Sequence, residues 1–187
     1  MRILVGITGA SGAVYAARLL AELAKTDHEV HAVVSDYGWK VLEHECGVGE
    51  GDIRPLVHRL HPVDDLAAPI ASGSFRADVM CVAPCSMRTL GAIAGGMAGN
   101  LLCRAADVML KERKNLVLAV RETPVSPIHL ENMLRLARIG AGIVPASPGF
   151  YHHPKTIDDL VAMMTGRILD SMGIENTLFE RWKGMEP

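Results

Sequence analysis

Short apolar runs alternate with longer stretches of helical periodicity along this chain. Arg2 to Ile7 reads as a buried strand, Gly9 to Gly12 as a turn, and Ala13 to Lys25 as a helix with Leu19, Leu20 and Leu23 on one face. Val30 to Val34 is a second strand, ending at Ser35, and Trp39 to Glu45 is helical. Asp78 to Ala83 is a third strand stopped by Pro84, Leu116 to Val120 a fourth, and Ala141 to Val144 a short fifth ended by Pro145. Helices are predicted over Thr89 to Ala94, Leu101 to Glu112, Pro127 to Ile139 and Ile157 to Met172. Residues 46–75 have weak periodicity with scattered Gly and Pro, and read as a loop-rich excursion. Such alternation predicts a single α/β domain over residues 1–187, with a C-terminal extension from about 174. It has three layers: a mainly parallel sheet with helices on both faces, joined by right-handed crossovers.

Composition narrows the function. With 187 residues, 49% apolar and 21% charged, the chain carries enough apolar surface for one core and is not disordered. A net charge of -2 without a basic run argues against nucleic acid or an anionic membrane as partner. Gly6, Thr8, Gly9, Ser11 and Gly12 interrupt the first apolar run too soon for a signal peptide, and no run is long enough to span a bilayer. Cys46, Cys81, Cys85 and Cys103 lack zinc-site spacing and fit reduced thiols in a cytoplasmic protein. His58-x-x-His61 and His152-His153 have no third ligand nearby and read as exposed side chains, so no metal is expected.

In an open parallel sheet, ligands bind beyond the carboxyl ends of the strands. The residues there are Thr8 to Gly12, Ser35-Asp36, Pro84 to Thr89, Arg121 to Pro124 and Pro148 to Tyr151. Hydroxyl and glycine residues with free N–H groups at helix starts hold a phosphate without a metal. Gly6-x-x-Gly9-x-x-Gly12 departs from the dinucleotide spacing, and the Ser86–Thr89 loop with Arg88 suits a flavin mononucleotide (FMN) better than NAD. Arg121-Glu122, directly after an apolar strand, pairs an anion clamp with a carboxyl able to pass a proton. Lys111 and Arg113 close the preceding helix, where a cation also suits the helix dipole, and Glu45 reads on its own as a solvated side chain.

Taken together, Thr8-Gly-Ala-Ser-Gly12, Ala71-Ser-Gly-Ser74, Ala83-Pro-Cys-Ser-Met-Arg-Thr-Leu90, Asn100 to Val108, Leu110-Lys-Glu-Arg113, Arg121-Glu-Thr-Pro124, His129 to Met133 and Pro148-Gly-Phe-Tyr151 stand in the order of the UbiX-type flavin prenyltransferases, which the chain resembles over nearly its whole length. The resemblance implies a flavodoxin-like fold, a homo-dodecamer with FMN at subunit interfaces, and a metal-free transfer of a dimethylallyl group from dimethylallyl phosphate to N5 and C6 of reduced FMN. The prenylated FMN would serve a UbiD-type decarboxylase. By that resemblance Gly9, Ala10, Ser11, Ser35, Ser86, Met87, Arg88, Thr89 and Arg121 hold FMN. Lys111, Arg121 and Glu122 hold the prenyl phosphate, joined by Tyr151 and Arg167 of a neighbouring subunit, with Ser72 lining the pocket and Trp182 near it. Glu122, Ser11 and Glu45 are the implied catalytic residues. Leu66 stands where some relatives carry Trp before the Ala-Ser-Gly-Ser segment.

Two other readings compete. A flavin-dependent decarboxylase of cysteinyl substrates on a related fold would need an Asn in the loop that here reads Pro84-Cys-Ser-Met-Arg-Thr89. A flavin-carrying or assembly subunit of an aromatic-acid decarboxylase would have no use for a second phosphate clamp.

Overall fold

A computed structural model of the chain describes residues 1–184. The predicted three-layer α/β architecture is present. Six parallel strands, β1 (Arg2–Ile7), β2 (Glu29–Val34), β3 (Arg59–His61), β4 (Val79–Cys85), β5 (Asn115–Val120) and β6 (Gly142–Pro145), lie in the order β3-β2-β1-β4-β5-β6. The edge strand β3 has only three residues. The other five strands alone follow the flavodoxin order, and β3 extends that sheet by one place. The order reverses between β1 and β4, and in such sheets ligands bind above the carboxyl ends of the strands at the reversal.

Helices α1 (Ala13–Leu23), α2 (Asp36–Cys46) and α7 (Ile157–Met172) cover one face of the sheet. Helices α4 (Met87–Ala94), α5 (Leu101–Lys111) and α6 (Pro127–Arg138) cover the other, and α3 (Glu50–Ile53) is a short turn of helix after α2. Alternate side chains of each central strand feed the two cores. Ile3, Val5 and Ile7 meet Leu19, Leu20 and Leu23 of α1, while Leu4, Met80 and Val82 meet Leu101, Leu102 and Met109 of α5. Leu19 and Leu20 are fully buried, so truncating either to Ala should cost about 2–5 kcal/mol.

Four sequence expectations are corrected here. Pro84 does not stop the third strand, because β4 runs through it to Cys85 with a register shift between Val82 and Cys85. Proline lacks an N–H for the ladder, and its carbonyl instead accepts from the Thr8 hydroxyl at 2.6 Å. Residues 46–75 hold β3 and α3 as well as loops, since the pairing His31↔Arg59 to Val33↔His61 needs only three extended residues, too few for a periodicity. His61 is buried rather than exposed: its Nε2 lies 2.9 Å from Nδ1 of buried His31, with the rings stacked at 5.2 Å. Helices α2 and α4 also begin earlier than the periodicity indicated, at Asp36 and Met87, because Ser35 and Ser86 cap them.

Candidate functional site

Three loops converge above the carboxyl ends of β1, β2 and β4, and their closeness is set by small residues. Gly12, the N-cap of α1, has φ +98°, a conformation that side chains with a Cβ rarely adopt. Gly9 lies so close to Tyr37 of α2 that a Cβ would overlap it. Thr8 binds the β1 and β4 loops together, donating to the Pro84 carbonyl and accepting from Ser86 N–H at 2.8 Å.

Ser35 caps α2, its hydroxyl accepting from Gly38 N–H at 3.0 Å. Ser86 caps α4, accepting from Thr89 N–H at 3.3 Å and donating to the Thr89 hydroxyl at 3.1 Å. A cap satisfies only one of the unpaired amides at a helix start. Those of Met87 and Arg88 thus remain for an anion, and α4 has no acidic residue in its first turn. Asp36 in the first turn of α2 makes that helix the poorer anion seat. The donor set fits a flavin monophosphate: two hydroxyls, two amides and exposed Arg88 at α4, with Ser35 beside them.

The start of α1 is different. Glu45, at the far end of α2, accepts from Gly12 N–H at 2.8 Å and Ala13 N–H at 2.9 Å. Its carboxylate is therefore an internal cap for a helix whose own N-cap has no side chain. Partial burial pushes the Glu45 carboxyl up. A hydrogen bond from Ser11, the two amides and the charge of Arg121 outweigh it and hold the group below the ordinary carboxylate range. Glu45 is thus tied into the loop rather than freely solvated, a role that its sequence context gave no means of finding.

Arg121 leaves β5 across the loop from Ser11, and its Nε donates to the Ser11 carbonyl at 3.0 Å. Glu122 follows, exposed, its carboxylate accepting from Thr123 N–H at 3.1 Å and its carbonyl from the Thr123 hydroxyl at 2.8 Å. Gly9, Ala10, Ser11, Ser35, Glu45, Ser86, Met87, Arg88, Thr89, Arg121 and Glu122 are therefore gathered at one end of the sheet.

The remaining expected residues are elsewhere in the chain. Lys111 precedes β5 whereas Arg121 follows it, and six residues of strand separate the two ends by about 20 Å. Lys111 Nζ lies against Gly73, next to Ser72, where the chain turns into the amino end of β4. Lys111 and Ser72 thus cannot share a pocket with Arg121 and Glu122 of the same chain. Tyr151, Trp182 and Arg167 form a third group along α7. Tyr151 packs edge-on against Trp182 at 5.7 Å, Asp170 binds both Arg167 and Arg181, and α7 ends where Asn115 donates to the Ser171 carbonyl at 2.9 Å.

Cys81, Cys85 and Cys103 are buried, and burial pushes the Cys81 thiol up to about 12, so these thiols are packing groups. Among the described residues, no three His, Cys, Asp or Glu side chains converge to hold a metal ion, and no helix is long and apolar enough to cross a membrane.

Known proteins match this arrangement. The Flavoprotein family matches residues 1–169. A flavin prenyltransferase UbiX of Alkalihalophilus pseudofirmus is 50% identical over 188 residues, covering 95% of this chain and 94% of its own. A crystal structure of AnUbiX (PadA1) in complex with FMN and dimethylallyl pyrophosphate superposes with a TM-score of 0.96 at 46% identity, covering 99% of this chain and 98% of the other. A dodecameric FMN-dependent UbiX-like decarboxylase from Escherichia coli O157:H7 gives 0.96 at 46% identity, covering 98% and 100%. The strand-order reversal between β1 and β4, the capped helix starts around it and near-full-length identity of this order lead to one assignment: the chain belongs to the Flavoprotein family, among the UbiX flavin prenyltransferases.

Proposed function

We propose that the protein transfers a dimethylallyl group from dimethylallyl phosphate to reduced FMN. The allylic C–O bond breaks and phosphate leaves with its electron pair as flavin N5 gives up its proton and bonds to the allylic carbon; the dimethylallyl double bond then takes up a proton, and C6 exchanges its hydrogen for a bond to the dimethyl-bearing carbon. The observation that carries this reading is the cluster at the carboxyl ends of β1, β4 and β5. There a hydroxyl-capped helix start suited to one phosphate stands beside Arg121 and Glu122. Ser86, Met87, Arg88, Thr89 and Ser35 hold the flavin phosphate, and Gly9, Ala10 and Ser11 line the loop against which the flavin lies. Arg121 and Glu122 face the departing phosphate, Arg121 as a cation and Glu122 as the proton donor. Ser11 and Glu45 stand where the flavin ring would come near the β1 loop.

Lys111 and Ser72 reach the substrate from a second subunit, and Tyr151, Arg167 and Trp182 from another copy. The split positions of the three groups in one chain support this reading. So do the apolar side chains Ile128, Leu130 and Leu134 of α6, which are exposed among the described residues. A dodecamer like that of the Escherichia coli relative would supply both the cover and the missing residues. The product would pass to a UbiD-type decarboxylase, and the four free cysteines suit the cytoplasm.

The test is to incubate purified protein with reduced FMN and dimethylallyl phosphate, with dimethylallyl diphosphate in parallel, and to weigh the flavin by mass spectrometry. A flavin heavier by one C5H8 unit is expected. Bound FMN of unchanged mass with both donors would sink the transferase reading and leave a flavin-carrying subunit.

A further inference from the structure

Helix α5 ends on an arrangement that its sequence does not announce. Lys111 and Glu112 are adjacent, and successive side chains on a helix point about 100° apart. Yet Lys111 Nζ and the Glu112 carboxylate form an ion pair, and both groups converge on Gly73 of the facing turn. A Cβ added to Gly73 would overlap the Glu112 carboxylate and stand 3.0 Å from Lys111 Nζ. A side chain at position 73 would require the ends of Glu112 and Lys111 to move aside. Glu112 closes α5 as its C-cap, and the Lys111 hydrogen bond holds its carboxyl below the ordinary range, so it stays an anion.

The turn under the pair is anchored independently. Arg104, two helical turns earlier, donates from Nε to the Ala71 carbonyl at 3.0 Å and pairs with Asp107 at 2.6 Å. The Ser72 hydroxyl accepts from Ser74 N–H at 3.3 Å and lies 2.9 Å from the Ser74 hydroxyl. Helix α5 thus grips the turn at both ends, and Ser72 and the Lys111 ammonium border the same glycine. A cavity of about 390 Å³ opens there, with Leu4, Ile70 and Met109 as its apolar floor and Ser72 and Glu112 at its rim.

We infer that Glu112 is a positioning residue for the prenyl phosphate: it draws the Lys111 ammonium onto Gly73, beside Ser72, so that cation and hydroxyl meet the phosphate as one unit. The inference rests on the phosphate role proposed above for Lys111. A lysine held in one place binds an anion without first losing its own freedom of rotation, and the benefit appears in substrate binding rather than in the bond-making step.

Steady-state prenylation by the assembled protein tests this. Glu112→Leu should raise KM for dimethylallyl phosphate about 10-fold, with kcat and FMN affinity within about 2-fold of wild type. Gly73→Ala, which displaces both groups, should act in the same direction. Glu112→Gln, whose amide oxygen still accepts from the ammonium, should recover most of the loss. Lys111→Met should raise KM at least as far, and Lys111→Met/Glu112→Leu should be no worse than Lys111→Met alone, because Glu112 acts through the lysine. If Lys111→Met leaves KM unchanged, the phosphate role of Lys111 falls and the inference falls with it. If Lys111→Met raises KM while Glu112→Leu leaves it unchanged or lowers it, the positioning role alone is overturned. Losses confined to kcat or FMN affinity in Glu112→Leu would likewise overturn it.

Discussion

Glu122 sits where the chain leaves β5, one residue beyond the Arg121 guanidinium that reaches back to the Ser11 carbonyl. Among the described residues its carboxylate accepts one hydrogen bond, from its neighbour Thr123 N–H, and pairs with no cation. Glu122→Gln should therefore leave FMN bound and the fold intact while slowing prenylation about 10²-fold or more, the usual scale for removing a general acid. Single-turnover formation of prenylated flavin at saturating FMN is the measurement, and a wild-type rate would remove Glu122 from the chemistry. Glu45 should behave in the opposite manner. It accepts two amides at the start of α1, so Glu45→Ala should cost about 1 kcal/mol of stability in denaturant unfolding, the size of a lost helix cap. Its depressed pKa fixes the sign with pH. The contribution is present above the ordinary carboxylate value of 4.5 and is lost as pH falls through the lower folded value.

Among the elements, β3 is held to the sheet by three paired residues and by the His31–His61 contact. Burial, with the charges of His31 and Arg59 and against the pull of Asp65, pushes the His61 imidazole down to about 4. Glu29 lies 3.1 Å from His31 Nε2, and Arg2 pairs with Glu29 at 2.8 Å. Because the folded value lies below the ordinary 6.5, the unfolded chain binds the proton more readily. Stability from this pair is complete above pH 6.5 and declines between 6.5 and about 4. Denaturation midpoints taken across that range should fall with pH in the wild type and fall less steeply in His61→Gln; parallel slopes would count against the assignment.

This same edge shows where sequence was readable. The β1, β2, β4 and β5 patterns were plain because strands buried on both faces are nearly continuous apolar runs. The loops after them were legible through their hydroxyls and glycines. β3 was not, because three residues show no period and His31 and His61 look like surface groups until strand pairing buries them together. The Glu45 carboxylate on the α1 amides was invisible for the same kind of reason, since 32 residues separate it from Ala13 and only the fold brings them within 2.9 Å. Motif resemblance supplied Lys111, and Tyr151 and Arg167 as residues of a neighbouring subunit, but not the distance of Lys111 from Arg121, which follows from strand direction and helix polarity.

At the scale of the molecule, Lys111 and Glu122 lie at opposite ends of the sheet's strands, so the proposed active site would have to draw on more than one copy. Mixing tests this directly. At dimethylallyl phosphate below the wild-type KM, Lys111→Met and Glu122→Gln homo-oligomers should each prenylate much more slowly than wild type. Subunits dissociated, mixed and reassembled should regain prenylation in those sites that draw an intact Lys111 from one parent and an intact Glu122 from the other. Mixed assemblies no more active than either parent would place both residues in one chain's site.

The carboxylate at the head of α1 has a consequence for which nucleotides can enter. In sheets whose order reverses in this way, the amide end of the first helix is where a dinucleotide seats its pyrophosphate. Here that seat is already filled by an anion the protein carries with it. FAD or NAD would have to evict Glu45 and bring two phosphates toward its charge, whereas a ligand with a single terminal phosphate meets the vacant amides of α4 instead. Discrimination against the longer cofactors would then need no steric gate, because Glu45 already holds the amides that their pyrophosphate would seek.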